Sequence, residues 1–214
     1  MSRYSLEEEE QIASLKAWWG KYGTFILIVL ILVFGAIAAN NAWSWWQARQ
    51  ANQSVVVYEK LQQAIEKKDF PLSIKIQVSL SEEHSRSPYA QRGALMVAKA
   101  LFDQGNLEQA KQHLQWAIEH AKLDEYAAAA TLMLSGILID EGKLDETTLI
   151  LKQDYPGFSG LLSDRRGDVA LAKQDFKTAQ LEYENALKTL QSNNPWRQVV
   201  ERKIAALPST GEQK

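Results

Sequence analysis

Three histidines, His84, His113 and His120, come first, because imidazole is the side chain best suited to bind a metal or move a proton near neutral pH. His113 and His120 lie seven residues apart on one predicted helix and share a face. They have no HExxH pattern and no third ligand at useful spacing, so they read as exposed helical histidines. Glu7 to Glu10 put four carboxylates in a row, which suits a solvated acidic helix start better than a metal patch. In Asp164-Arg165-Arg166-Gly167-Asp168 the mixed charges point to ion pairs within the fold before a charged partner. Glycine-rich phosphate loops and the GxSxG nucleophile pattern are absent. There is no cysteine, which removes disulfides, thiolate metal sites, cysteine nucleophiles and a lipoprotein anchor. A formal net charge of −2 leaves no basic face for nucleic acid. The expectation is a protein without catalytic residues, metal, cofactor or small-molecule substrate.

What must be positioned, then, is a surface, and the elements begin with a membrane segment. Residues 22–48 form a run of 27 without a charge. Eleven of the fifteen side chains from Phe25 to Ala39 are Phe, Leu, Ile or Val, favouring a bilayer by about 3–6 kcal/mol on an insertion scale. Trp18, Trp19 and Tyr22 stand at one end, and Trp43, Trp45 and Trp46 at the other. A helix joining these aromatic belts runs about 40 Å, the thickness of a bilayer with its headgroups. Ala36-Ile37-Ala38 imitates a signal-peptide cleavage site, but the acidic segment before the run is the opposite of the positive start such a peptide has. Arg3, Lys16 and Lys21 against Arg49 and Lys60 lean the N-terminus towards the cytoplasm.

Beyond Arg49 the apolar periodicity is helical throughout. Lys68-Asp69-Phe70, Gly105-Asn106-Leu107, Gly142-Lys143-Leu144 and Gln174-Asp175-Phe176 recur at spacings of 37, 37 and 32 residues as one turn element. A period near 34 built of two helices and a tight turn is a tetratricopeptide signature. Small residues are expected five and twelve positions after each turn, where helices cross closely. Ala110 and Ala117 satisfy this in the second unit, and Ala179 and Ala186 in the fourth. The third unit carries Thr147 and Asp154 there, and the first keeps only the apolar face Val57, Leu61, Ala64 and Ile65. Tyr126 to Ile139 reads as the most buried helix. Asn194 and Pro195 start a last helix with one apolar stripe, a cap for the array. The predicted fold is all-α: one N-terminal transmembrane helix, then a tetratricopeptide-like α-solenoid of about four helix pairs with a capping helix. Its divisions are an acidic N-terminal helix over 1–21, the span over 22–48, the repeats over 49–207 and a flexible tail over 208–214.

The acidic helix ending in Leu15-Lys16-Ala17-Trp18-Trp19-Gly20-Lys21-Tyr22-Gly23, followed by one span, a Trp-rich exit and the repeats, resembles the YfgM family. So does Asp164 to Asp168 followed by Ala170-Leu171-Ala172-Lys173. The resemblance implies a single-pass bacterial inner-membrane protein, N-terminus in the cytoplasm and repeats in the periplasm. It implies an ancillary partner of the SecYEG translocon that associates with a PpiD-like membrane-anchored chaperone and assists hand-over of secreted proteins.

Tetratricopeptide arrays line their concave face from the first helix of each pair. Carried onto this register, the lining is Val55, Tyr58, Gln62 and Ile65; Arg92, Leu95, Lys99 and Phe102; Ala129, Leu132, Gly136 and Ile139; and Leu161, Asp164, Asp168 and Leu171. Such a mixed, mostly apolar groove suits an unfolded segment or an amphipathic helix. The alternatives are that these residues are core, that the array is a holdase binding unfolded chains directly, or that it is a scaffold facing the cytoplasm.

Overall fold

The computed structural model describes the backbone of residues 6–208 and their side chains except those of 6–9 and 46–52. The expected belt position of Trp46, the side chains of Glu7, Glu8 and Glu9, and the tail from residue 209 lie outside the described side chains. Among the described residues every regular element is an α-helix, as the periodicity predicts. These are α1 (Leu6–Glu66), α2 (Phe70–Glu83), α3 (Pro88–Asp103), α4 (Leu107–His120), α5 (Asp124–Asp140), α6 (Leu144–Ile150), α7 (Ser159–Ala172), α8 (Phe176–Thr189) and α9 (Trp196–Ala205).

The chain divides into two compact units, residues 1–51 and 52–214. In the first, Glu10–Trp45 is a 36-residue helical stretch with a mean hydropathy of 2.6 in its most apolar window, 6% of which is buried. A helix this apolar and this bare is not the core of a soluble unit; it is long and apolar enough to cross a membrane. Trp18, Trp19, Tyr22, Trp43 and Trp45 are all exposed on it. Trp18 packs on Tyr22 at 5.7 Å between ring centroids, and the Lys21 ammonium lies 5.4 Å from the same tyrosine ring. That cluster suits the amphipathic layer where rings meet headgroups.

The second unit is built from one turn used four times. Lys68, Gly105, Gly142 and Gln174 have φ of +57°, +78°, +73° and +61°. In each turn the next N–H reaches back five residues, from Asp69 to the Ala64 carbonyl, Asn106 to Leu101, Lys143 to Leu138 and Asp175 to Ala170, at 2.8–2.9 Å. This left-handed helix stop satisfies carbonyls that would otherwise be orphaned. The residue after the stop then opens the next helix. Asp69, Asn106 and Asp175 accept from the backbone N–H three residues on, at 3.1, 3.4 and 3.0 Å.

Counting from the stop residue, the fifth, ninth and twelfth positions face inward. They are Ala110, Leu114 and Ala117 in α4, and Ala179, Tyr183 and Ala186 in α8, each fully buried. The first hairpin keeps the same positions with Ser73, Gln77 and Leu80, also buried, so it is a full unit and not the degenerate one its sequence suggests. Gln77 serves there because its amide donates to the Ala90 carbonyl at 2.9 Å and to the Ser81 hydroxyl at 3.0 Å. The third hairpin departs from the pattern. Thr147 and Leu151 are buried, but α6 stops after seven residues and Asp154 lies exposed beyond its end. Pro156 disfavours helix at Tyr155, and Gly157 takes φ +84°. Tyr155 folds inward instead, its hydroxyl 3.4 Å from that of Thr131.

Close helix contact depends on missing side-chain volume. A Cβ at Gly167 in α7 would sit 2.4 Å from the Tyr183 ring, and one at Gly93 in α3 would sit 2.3 Å from the Gln77 amide oxygen. Gly167→Ala should therefore destabilise the fold by about 1–3 kcal/mol, the range for overpacked cores. Urea unfolding of the full chain in detergent checks this; a midpoint unchanged from the parent would mean α7 and α8 part without loss.

Candidate functional site

The candidate site is the face presented by α3, α5 and α7, the first helices of their hairpins. Each enters with its small or apolar residues turned to the second helices, which leaves the opposite stripe to solvent. Arg92, Lys99 and Phe102 are exposed, and Leu95, Leu132 and Gly136 are half-buried. A cavity of about 290 Å³ is lined by Lys99, Phe102, Leu132, Met133, Gly136 and Arg165 among others. A second of about 430 Å³, bounded by Ile65, Arg92, Leu95, Met96 and Asp103, shares Lys99 and Met133 with it. The structure thus joins Arg92, Leu95, Lys99, Phe102 and Leu132 into one apolar trough with a charged edge. Met96 and Met133 belong to its wall although sequence spacing did not mark them; their flexible thioethers adapt to varied apolar shapes. Lys99 pairs with Asp103 along the rim.

Two expected wall residues are core. Tyr58 is 4% exposed; its hydroxyl donates to the Met96 sulfur at 2.8 Å, and its ring packs on Tyr89 with a 5.4 Å centroid separation. Arg92 lies over that ring at 5.7 Å. Burial raises the phenol's pKa above its ordinary value. Asp164 is 2% exposed and is also withdrawn from the groove.

Asp164 and Asp168 instead anchor the terminal helix. The Lys203 ammonium donates to both carboxylates at 2.7 Å, Trp196 Nε1 donates to Asp164 at 2.9 Å, and the Tyr183 hydroxyl donates to Asp168 at 2.9 Å. Arg165 reaches Asp168 at 3.3 Å, and Arg166 Nε donates to the Leu151 carbonyl at 2.9 Å. The charged run is therefore an ion-pair network within the array, holding α9 on α7. Burial and the Asp168 charge hold the Tyr183 phenol well above its usual range.

The histidines are less alike than expected. His120 stacks on Trp116 at 4.7 Å and its Nδ1 lies 2.9 Å from the Trp116 carbonyl. His113 is half-buried in a trough of about 400 Å³ between α2 and α4, among Ile74, Val78, Gln109 and Trp116, with Glu82 at its edge. Burial alone lowers its pKa below the ordinary 6.5. Among the described residues no group of three His, Cys, Asp or Glu side chains is placed to hold a metal.

The fold agrees with what the chain is similar to. The family model described as tetratricopeptide repeat-like domain matches residues 16–209. The chain belongs to that family. A protein of Haemophilus influenzae is 27% identical over 184 residues, covering 86% of this chain and 90% of that protein. One from Aggregatibacter actinomycetemcomitans is 26% identical over 189 residues with the same coverage of each chain. One from Neisseria gonorrhoeae is 24% identical over 204 residues, 94% of this chain and 98% of its own. All three carry the name ancillary SecYEG translocon subunit. The resemblance read from the N-terminal pattern and the repeats is thereby upheld, and the family match runs from Lys16 through the long apolar helix and the repeats to just past α9.

Two outcomes follow from this geometry. Lys203→Met leaves Asp164 and Asp168 without their shared cation and should cost about 3 kcal/mol, the scale for a buried pair that loses one partner; chemical denaturation of the full chain measures it. For His113, the unfolded chain binds more protons than the folded one just below pH 6.5. Stability should hold above that pH and fall as pH drops through it, and His113→Gln should shrink the drop. Thermal unfolding at about pH 7.5 and about pH 5.5 compares the two proteins, and an equal drop in both would remove His113 as its source.

Proposed function

We propose that this chain is a membrane-anchored protein-interaction subunit ancillary to the SecYEG translocon, with its N-terminus in the cytoplasm and its repeats in the periplasm. The observation that carries the reading is that this chain, one bare apolar helix followed by a tetratricopeptide-like array, matches relatives of that name over 90–98% of their length. The array supplies binding without chemistry. Its trough over Leu95, Lys99, Phe102 and Leu132 is apolar enough to take the hydrophobic stripe of an amphipathic helix or an extended segment, and Arg92 and Lys99 give it a charged edge. Burying one large apolar side chain there contributes about 1.5–3 kcal/mol. A contact of that size tethers a partner reversibly, which suits a subunit that attends traffic without blocking it.

In this reading the anchor fixes the array beside the channel and raises the local concentration of whatever the groove holds. A PpiD-like chaperone anchored in the same membrane fits as that partner, and hand-over of secreted chains from the translocon is the role that follows. The span meets lipid through its apolar side chains and aromatic belts.

Replacing Leu95 and Phe102 together by Asp tests the groove, since Phe102 is 42% exposed and tolerates a polar side chain. The double variant should stay helical and in the membrane while copurification of SecYEG or of the anchored chaperone falls about tenfold, a loss of about 1.4 kcal/mol. Undiminished recovery of both would move the interaction off this face.

A further inference from the structure

The shortened α6 leaves a place in the array that the other hairpins fill. In α2, α4 and α8 the second helix runs 14 residues, and its last turns carry Leu80, Ala117 or Ala186 into the core. The seven-residue α6 ends before that point. Beside its end is a cavity of about 480 Å³, lined by Ile118, Leu123, Ala127, Leu149, Ile150 and Tyr155 among others. Leu149 is 62% and Leu123 45% exposed there, more than core contacts would leave. The surrounding charge is net negative, and Asp124 itself lines the cavity. Glu119, Asp124, Glu125, Glu146 and Asp154 stand exposed in the segments that border the cavity, against Lys122 and Lys152. The α6 C-terminus adds the negative end of a helix, with no basic residue in its last turn.

We propose that this gap is a second docking surface, distinct from the groove, whose occupant is a short basic amphipathic helix from a partner protein. The occupant stands in for the missing turns of α6. It lays small and apolar side chains, of the kind the other hairpins place at the equivalent position, against Leu149, Leu123 and Ile118. Its lysine or arginine residues meet the acidic rim. The surface stands on the geometry of the third hairpin alone and does not depend on which partner the groove binds.

The absence of native cysteine allows one label at a chosen site. Gln153→Cys, carrying an environment-sensitive bimane and held as the full chain in nanodiscs of zwitterionic lipid, reports occupancy of the cavity. The probe is a synthetic helix of about four turns with alanine and leucine on one face and lysine on the other; its counterpart has glutamate for lysine. The lysine helix should give a saturable emission change that empty nanodiscs do not compete away, with the glutamate helix at least tenfold weaker. Leu149→Glu should weaken the lysine helix at least tenfold, and Asp124→Lys, also on the exposed rim, should narrow the preference between the two helices. Phe102→Asp, in the groove, should leave the titration unchanged. A wild-type chain with no saturable response, equal binding of the two helices, or a Leu149→Glu chain that binds as well as the parent would each overturn the assignment.

Discussion

The left-handed helix stop is the constraint on which the array depends. A single residue at positive φ, followed by an N–H that bonds five residues back, ends one helix and aims the next antiparallel to it. Because this happens four times in the same geometry, the inward positions of each second helix fall at the same count from the stop. The close approaches follow from that register. Gly167 can meet the Tyr183 ring only because the turn after Lys173 returns α8 at the matching height, whereas Gly93 meets Gln77 across the other kind of connection, residues 84–87, that joins α2 to α3. The exposed face is also a product of it, since the stripe not used for pairing within a hairpin is what α3 and α5 offer to solvent.

Much of this was legible in the residues. The four turns were located at the right positions even where no glycine marks them, because Lys68 and Gln174 sit in the same polar-then-apolar triplet as Gly105 and Gly142. The trough was legible to the extent that helical spacing fixes a face: Leu95, Lys99, Phe102 and Leu132 do share one surface. What spacing could not give is depth. Tyr58 and Asp164 lie at correct angular positions, yet each is covered by a neighbour along the stack, Tyr58 by Tyr89 and Met96 and Asp164 by Trp196 and Lys203. The first hairpin was hidden for a related reason. Ser73 and Gln77 look like surface residues, and only the packing shows that Gly93 makes room for a buried amide.

The short α6 was written in Pro156 and Gly157, but its meaning emerges only against the other three hairpins. A proline near the expected end of a helix looks ordinary. Set beside the 14-residue second helices of its neighbours, α6 is two turns shorter, and Tyr155 turns inward beyond its end. The charged run in α7 shows the reverse case, in which Asp164 and Asp168, placed on the groove wall by helical register, are consumed by the fold itself: Lys203 closes over both aspartates and so fixes the helix that ends the stack.

In an array whose stability is a sum of each unit's own energy and its coupling to the next, the shortened hairpin is also a seam. Apolar packing gathers into one large cluster running from Tyr58 to Leu138, a small one around Leu151 and Tyr155, and a third around Tyr183. The second lies where α6 gives out. A chain tethered in a membrane and tugged through whatever it holds is loaded along that stack, like a rod notched near its middle. Mechanical failure would begin at the notch, leaving the hairpins before it and the capped end after it each folded as a block.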